Sequence, residues 1–235
     1  MGAPTRWHGF TDRVARGSRP PYDGNLGLHV GDDSHTVQEN RHRLLSEIGA
    51  RSLCFVTQVH GNRVVTVRDP ATGVVEIGTP ADGLVTANPG VAVAVLVADC
   101  VPVLIADPKA GVVGVAHAGR PGLSAGVIEA VVDAMHEEGA QANRMLAVVG
   151  PGICGSCYEV PAAMRDDEVA RVPGIASITR RGTPALDLPA GAEAVLRRRG
   201  IAVSRDDRCP AEDPMLFSYR RDGRTGRFAG WAVVR

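Results

Sequence analysis

The stretch Val91–Val97, VAVAVLV, is apolar at every position. A strand with one wet face alternates apolar and polar residues, so a strand apolar on both faces has to be covered on both. The chain must therefore bury a sheet between layers, and 44% hydrophobic residues supply ample surface for such a core. Pro102 lacks the N–H that a ladder uses and interrupts the continuation of this run, so Cys100 falls at the break between two buried strands, the second over residues 103–106. After the turn at 107–111 (DPKAG), a strand over 112–116 leads directly into His117-Ala118-Gly119.

The rest of the chain reads as a mixture. Ser34 suits an N-cap, and Val37, Leu44, Leu45 and Ile48 form an apolar stripe that Gly49 ends, which predicts a helix. Residues 53–59 and 64–67 are dense in β-branched side chains and read as strands, with His60-Gly61-Asn62 as the turn between them. From Gly122 to Glu138, Leu123, Val127, Val131, Ala134 and Met135 recur at helical steps, with Pro121 near the first turn, so one helix with its N-terminus toward His117 is expected. Strands are expected over 145–149, 201–204 and 228–234, a helix over 189–199, and an ordered loop over 17–34. Nothing marks a repeat or a linker. The expectation is one domain over residues 1–235, α/β or, depending on strand order, α+β.

Lys plus Arg and Asp plus Glu number 26 each and the pI is near 7.1. No general field draws the chain to nucleic acid or an acidic membrane, and aromatic residues at 4% argue against base-stacking platforms, so a small-molecule partner is expected. The N-terminal segment has no apolar core, and the longest apolar run, 91–98, falls far short of the ~20 residues that span a bilayer. A cytoplasmic location is expected, with no membrane association. Met1-Gly2 could invite myristoylation, but Arg6 stands where that motif wants Ser or Thr. Five cysteines without a secretory signal read as reduced thiols. The oligomeric state is not legible here.

His60 in TQVHG, Cys100 in VADC and His117 in VAHAG each sit at a strand end among small residues. Zinc takes such donors, and three of them leave a fourth position open, as catalytic sites require. Spacings of 40 and 17 residues form no short metal motif, so three readings stay open on the residues alone: a metal site, a Cys–His nucleophile pair, and ordinary packing.

The segments NLGLHVGDD, ENRHRL, TQVHGNRV, ADGLVT, VAVLVADCVPVLIAD, VVGVAHAG, GPGICGSCYEV and FSYRRDGRTGR, in this order from about Gly17 to Trp231, resemble the YfiH-like or laccase-domain family. The resemblance implies a single α/β domain with a two-sided sheet core flanked by helices. It implies a metal-binding purine nucleoside phosphorylase with adenosine deaminase and methylthioadenosine phosphorylase activity, in a family earlier described as polyphenol oxidases. The family's metal ligands fall on His60, Cys100 and His117, with Zn2+ expected and Cu2+ as the alternative. The family commonly reads HAGWRG where this chain has His117-Ala118-Gly119-Arg120-Pro121-Gly122, so the Trp is missing and the Arg comes one place early.

The implied reactions ask for further groups. Deamination needs an acid to carry protons, for which Asp82 and Asp99 are the candidates, and phosphorolysis needs positive charge around phosphate, for which Arg41, Arg120 and the helix start after Pro121 are the candidates. Cys154 and Cys157 stand two residues apart, as in a redox dithiol or half a structural zinc site that Cys54 and Cys209 would complete, although packed thiols are the commoner outcome. His29, His35, His42 and His136 are not expected to be ligands, and Arg220, Arg221, Arg224 and Arg227 read as a structural basic run. Rival readings are a copper phenol oxidase, a Cys–His hydrolase cleaving an amide such as one in a cell-wall precursor, and a binding protein without turnover. Multicopper chemistry needs about ten His or Cys ligands, and the chain has seven His.

Overall fold

A computed structural model describes residues 6–13 and 21–235; the start of the expected 17–34 loop and the Met1-Gly2 motif lie outside the described residues. Two sheets dominate. The first has the order β1 (His8–Phe10), β13 (Phe228–Val233), β6 (Val91–Val97), β2 (Ser52–Thr57), β4 (Gly73–Pro80). The second has the order β12 (Ala202–Arg205), β9 (Leu146–Val149), β7 (Val101–Asp107), β8 (Val112–Ala118), β5 (Gly83–Thr86), β3 (Val64–Thr66). Both are mixed: β2 runs parallel to β6 and β4, whereas β6 is antiparallel to β13, and β7 is antiparallel to β8 and β9. A separate hairpin joins β10 (Ala176–Ile178) and β11 (Pro184–Leu186).

The helices are α1 (Ser34–Ile48), α2 (Arg120–Ser124), α3 (Val127–Glu137), α4 (Ala162–Arg171), α5 (Leu188–Arg198) and α6 (Tyr219–Asp222). They make the outer layers of a helix–sheet–sheet–helix sandwich, a mixed α/β domain. This layering explains the uniformly apolar strands. On β6, Val91, Val93 and Val95 pack between the sheets against Leu104, Ala106, Val113 and Val115, while Ala92, Ala94 and Leu96 face Leu44 and Ile48 of α1. On β7, Val101, Val103 and Ile105 face α3 and α5 instead, meeting Val127, Val131, Val195 and Leu196. No helix is long and apolar enough to cross a membrane among the described residues.

Several local expectations are corrected. The N-cap of α1 is Asp33, whose carboxylate accepts from the Thr36 N–H, and Gly49 ends the helix in the left-handed region at φ 69°. The strands either side of His60-Gly61-Asn62 do not pair, because β2 and β3 belong to different sheets and the segment between them crosses the sandwich. The same holds for β6 and β7, so Ala98-Asp99-Cys100 is a crossing between sheets. Pro102 does not end a strand; it lies inside β7 opposite His117, and its carbonyl accepts from the Gly150 N–H at 2.8 Å. The single helix expected over 122–138 is two, because Gly126 adopts φ 86° between α2 and α3.

Candidate metal centre and cleft

The three expected ligands converge where the chain leaves one layer for another. His60 lies in the crossing after β2, Cys100 in the crossing after β6, and His117 near the end of β8 before the chain turns into α2. Register does part of this work: Val101 pairs with Ala118 and Gly83 with Ala116, which sets both Cys100 and Asp82 beside His117. One donor atom from each of His60, Cys100 and His117 lies within 4.8 Å of the others. His60 Nε2 is 3.7 Å from Cys100 Sγ, and the two imidazole rings meet edge-on at 4.7 Å.

Close backbone approach is needed to bring them together. His60 and Asp99 adopt φ of 60° and 91°, which a non-glycine residue holds only under constraint from its surroundings. A Cβ at Gly119 would stand 2.7 Å from His60 Cδ2 and 2.9 Å from Cys100 Sγ, and one at Gly122 would stand 2.9 Å from the Gly61 carbonyl oxygen. Any larger residue at either place would push into the site.

Asp82 is fully buried behind this cluster. Its carboxylate accepts from His117 Nδ1 at 2.8 Å and from the N–H groups of Val59, His60 and Gly61 at 3.2, 2.9 and 2.7 Å. Burial would raise its carboxyl, but His117 and these amides outweigh it and hold the group below the usual carboxylate range. Asp82 thus orients His117, leaving the other ring nitrogen for a metal, and fixes the strained turn at His60. Both of its oxygens are thus engaged within the protein.

Burial alone would raise the Cys100 thiol, yet the charge and hydrogen bonds of His117 and His60 bring it down to about 6. For His117, burial lowers, while Cys100 and Asp82 together lift it to about 9. The protein therefore favours a thiolate at Cys100, the form that binds soft and borderline metals, and two imidazoles beside it complete a donor set suited to zinc.

The cluster forms the floor of a cleft of about 530 Å³. Arg120, Tyr158, Tyr219, Arg220, Arg227 and His29 stand around it. Arg120 reaches the cleft but is held by Glu168, a buried acid that also takes the Ser124 hydroxyl. Arg41 does not reach it. Its guanidinium is buried under α1, where it donates to the Leu26 carbonyl at 2.7 Å, pairs with Glu76 and covers the Phe55 ring at 4.2 Å. The apolar helix face that buries it was visible in the sequence; that its charge would be satisfied inside was not.

Arg220 and Arg227 came from the run expected to be only structural. Asp99 explains the position of Arg220: its carboxylate accepts from the Ser218 hydroxyl and the Arg220 N–H, both at 2.6 Å, tying the C-terminal segment to the Cys100 crossing, while the Arg227 N–H donates to Asn25 Oδ1 at 2.8 Å. Burial raises the Asp99 carboxyl despite these bonds. His29, set aside as a loop residue, lines the cleft; burial and Arg227 hold its ring below the usual histidine range. His35, His42 and His136 do not line it. Cys54 lies on β2 within the core between the sheets, so it cannot complete a zinc site with Cys154 and Cys157. Cys209 does meet them, with Glu212.

Residues 7–235 match the family model described as multi-copper polyphenol oxidoreductase laccase. The chain belongs to this family. Within the laccase-type family it is 46% identical to a Mycobacterium tuberculosis protein named purine nucleoside phosphorylase, over 93% of this chain and 88% of that one. It is 47% identical to a Streptomyces coelicolor protein of the same name, over 95% and 93%. The crystal structure of the Bacillus licheniformis hypothetical protein YfiH superposes with a TM-score of 0.85 at 30% identity, covering 97% of this chain and 92% of that one. That of YlmD from Geobacillus stearothermophilus gives 0.84 at 33%, covering 97% and 91%.

Proposed function

We propose that the chain is a zinc-dependent purine nucleoside phosphorylase acting on adenosine, inosine and methylthioadenosine in the cleft above His60, Cys100 and His117. The observation that carries this reading is the convergence of those three donors on the floor of a cleft walled by Arg120, Arg220 and Arg227. Its volume falls in the range of small-molecule sites, roughly 300–1,000 Å³, enough for a nucleoside with phosphate. The names of the relatives point the same way.

Phosphorolysis transfers the ribosyl carbon from the base nitrogen to a phosphate oxygen; the C–N bond breaks, and the departing base keeps the electron pair and takes up a proton. Arg220 and Arg227 supply the charge that gathers the phosphate oxygens, and Tyr158 and Tyr219 offer faces to the flat base. Arg220 already lies 5.0 Å over the Tyr158 ring, which holds both in place. A zinc ion held by His60, Cys100 and His117 would supply Lewis acidity at an open fourth position. Deamination of adenosine in the same cleft would draw on Asp99, which lines it, or on Asp82, which is bonded to His117.

The test is release of base from the three nucleosides with and without phosphate, on wild type and Cys100→Ala, with zinc content measured on both. Phosphate-dependent release in wild type, lost together with one equivalent of zinc in the variant, supports the reading. Zinc-loaded wild type that releases no base under either condition sinks it. A second reading then takes its place, because the depressed Cys100 thiol beside a raised His117 is also the pairing of a cysteine hydrolase. Amide cleavage that survives a chelator and stops on iodoacetamide labelling of Cys100 would mark it. The copper phenol oxidase reading fits less well: among the described residues the His and Cys groups form one three-donor cluster and one separate cysteine-rich cluster, not a coupled multicopper array.

A further inference from the structure

Away from the cleft floor, two short turns face each other. In the first, after β9, the Cys154 carbonyl accepts from the N–H groups of Cys157 and Tyr158, both at 3.0 Å. In the second, after β12, the Cys209 carbonyl accepts from Glu212 and Asp213 at 2.9 and 2.8 Å. Each turn thus presents two donor side chains three positions apart, Cys154 with Cys157 and Cys209 with Glu212. The turns are joined by the Cys154 N–H, which donates to Cys209 Sγ at 3.3 Å, and by the Cys157 thiol, which donates to Glu212 Oε1 at 3.3 Å. One donor atom from each of the four residues lies within 4.8 Å of the others.

We propose that Cys154, Cys157, Cys209 and Glu212 bind a second zinc ion, distinct from the one at the cleft floor, and that this ion is structural. Three thiolates and a carboxylate form a closed tetrahedral set with no position left for substrate, which is what separates a structural zinc from a catalytic one. Tetrahedral zinc with bonds of about 2.3 Å sets its sulfur donors about 3.8 Å apart, so donor atoms within 4.8 Å of one another need to close by no more than about 1 Å. Paired turns that each give two ligands with two residues between them are the usual framework for such sites. Sulfur-directed amides are part of that framework, and both the Cys154 amide and the Ala211 amide are directed at the Cys209 sulfur.

Arg180, paired with Glu212, is the cation already present at the rim. The turn backbone is also fixed from behind, since a Cβ at Gly155 would stand 2.2 Å from Ser177 Oγ.

The position explains what the ion would do. The first turn lies between Ile153 and Tyr158, which line the cleft, and the second precedes the segment carrying Tyr219 and Arg220, which also line it. A zinc bridge would hold these two segments together where Arg220 covers the Tyr158 ring.

Zinc content of the full chain, purified without chelator in reducing buffer, tests this. Wild type is expected to carry about two zinc ions per chain, and Cys100→Ala and Cys157→Ser about one each. In Cys100→Ala the remaining ion is bound only by the second cluster, so added zinc should raise the melting temperature of its metal-stripped form and the cobalt form should show thiolate charge-transfer bands. Both signals should disappear in Cys100→Ala/Cys157→Ser and weaken in Cys100→Ala/Glu212→Gln, the latter retaining all three sulfurs in case a cysteine variant folds poorly. Cys100→Ala protein that binds no zinc, or that forms a disulfide among Cys154, Cys157 and Cys209 in the same reducing buffer, overturns the proposal. Phosphorolysis is scored separately, so the cleft-floor reading and this one fail independently.

Discussion

At the scale of single residues, Asp82 is a buried carboxylate whose hydrogen bonds all go to the protein around His60 and His117. It meets His117 and three amides, so Asp82→Asn would set a donating amide against N–H groups that need an acceptor. The expected outcome is a roughly 10- to 100-fold loss of zinc affinity at the cleft floor, read by competition with a chromophoric chelator, with the fold retained by circular dichroism. Arg227 and Arg41 make a second contrast. Arg227→Ala should raise KM for phosphate by about tenfold, near 1.4 kcal/mol, with a smaller change in kcat. Arg41→Met should leave that KM unchanged and show its effect in thermal stability instead, because its charge is spent on Leu26 and Glu76 inside the protein. Steady-state kinetics at varied phosphate separates the two.

At the scale of elements, the ends of strands are secured by side chains as much as by ladders. Asp107 closes β7: its buried carboxylate accepts from the N–H groups of Lys109, Ala110 and Gln141 and from Arg144 Nε at 2.9 Å. Burial opposes the charge, but Arg144 and the amides prevail and hold the carboxyl below its ordinary value. The folded state therefore binds this proton less readily than the unfolded chain. The stability it contributes is fully present above the unfolded carboxyl pKa of about 3.9 and is lost as pH falls through the lower folded value. Asp107→Asn should lower the melting temperature at pH 7 and flatten its decline between roughly pH 4 and 2, measured as melting temperature against pH. An unchanged acid limb would mean that other carboxylates dominate it.

At the scale of the whole molecule, the joint between the two sheets holds the sandwich together and the cleft sits at the edge of that joint. Leu104 is fully buried there, among Val93, Val95, Val115 and Ala232. Leu104→Ala should cost about 2–5 kcal/mol through lost transfer energy and the cavity left behind, a fall of roughly 4–20 °C in melting temperature for a chain of this size. The doubly apolar run Val91–Val97 announced this burial in advance, because period-two patterning reports how many faces are covered. The glycine stop of α1, the helix near 189–199 and the donor types of His60, Cys100 and His117 were legible for the same local reason: caps, turns and donor types are properties of a few adjacent residues. Partner assignment was not. That β2 and β3, or β6 and β7, part into different sheets depends on contacts far apart in the chain, which no local pattern encodes. The same distance dependence hid Arg41 in the interior, brought Arg220, Arg227 and His29 to the cleft, and paired Cys154 and Cys157 with Cys209 and Glu212 rather than Cys54. What the sequence determined by itself was the apolar layering and the chemical kinds of donor available. Only the tertiary structure decided which donors meet, because meeting is set by how strands sort between two sheets.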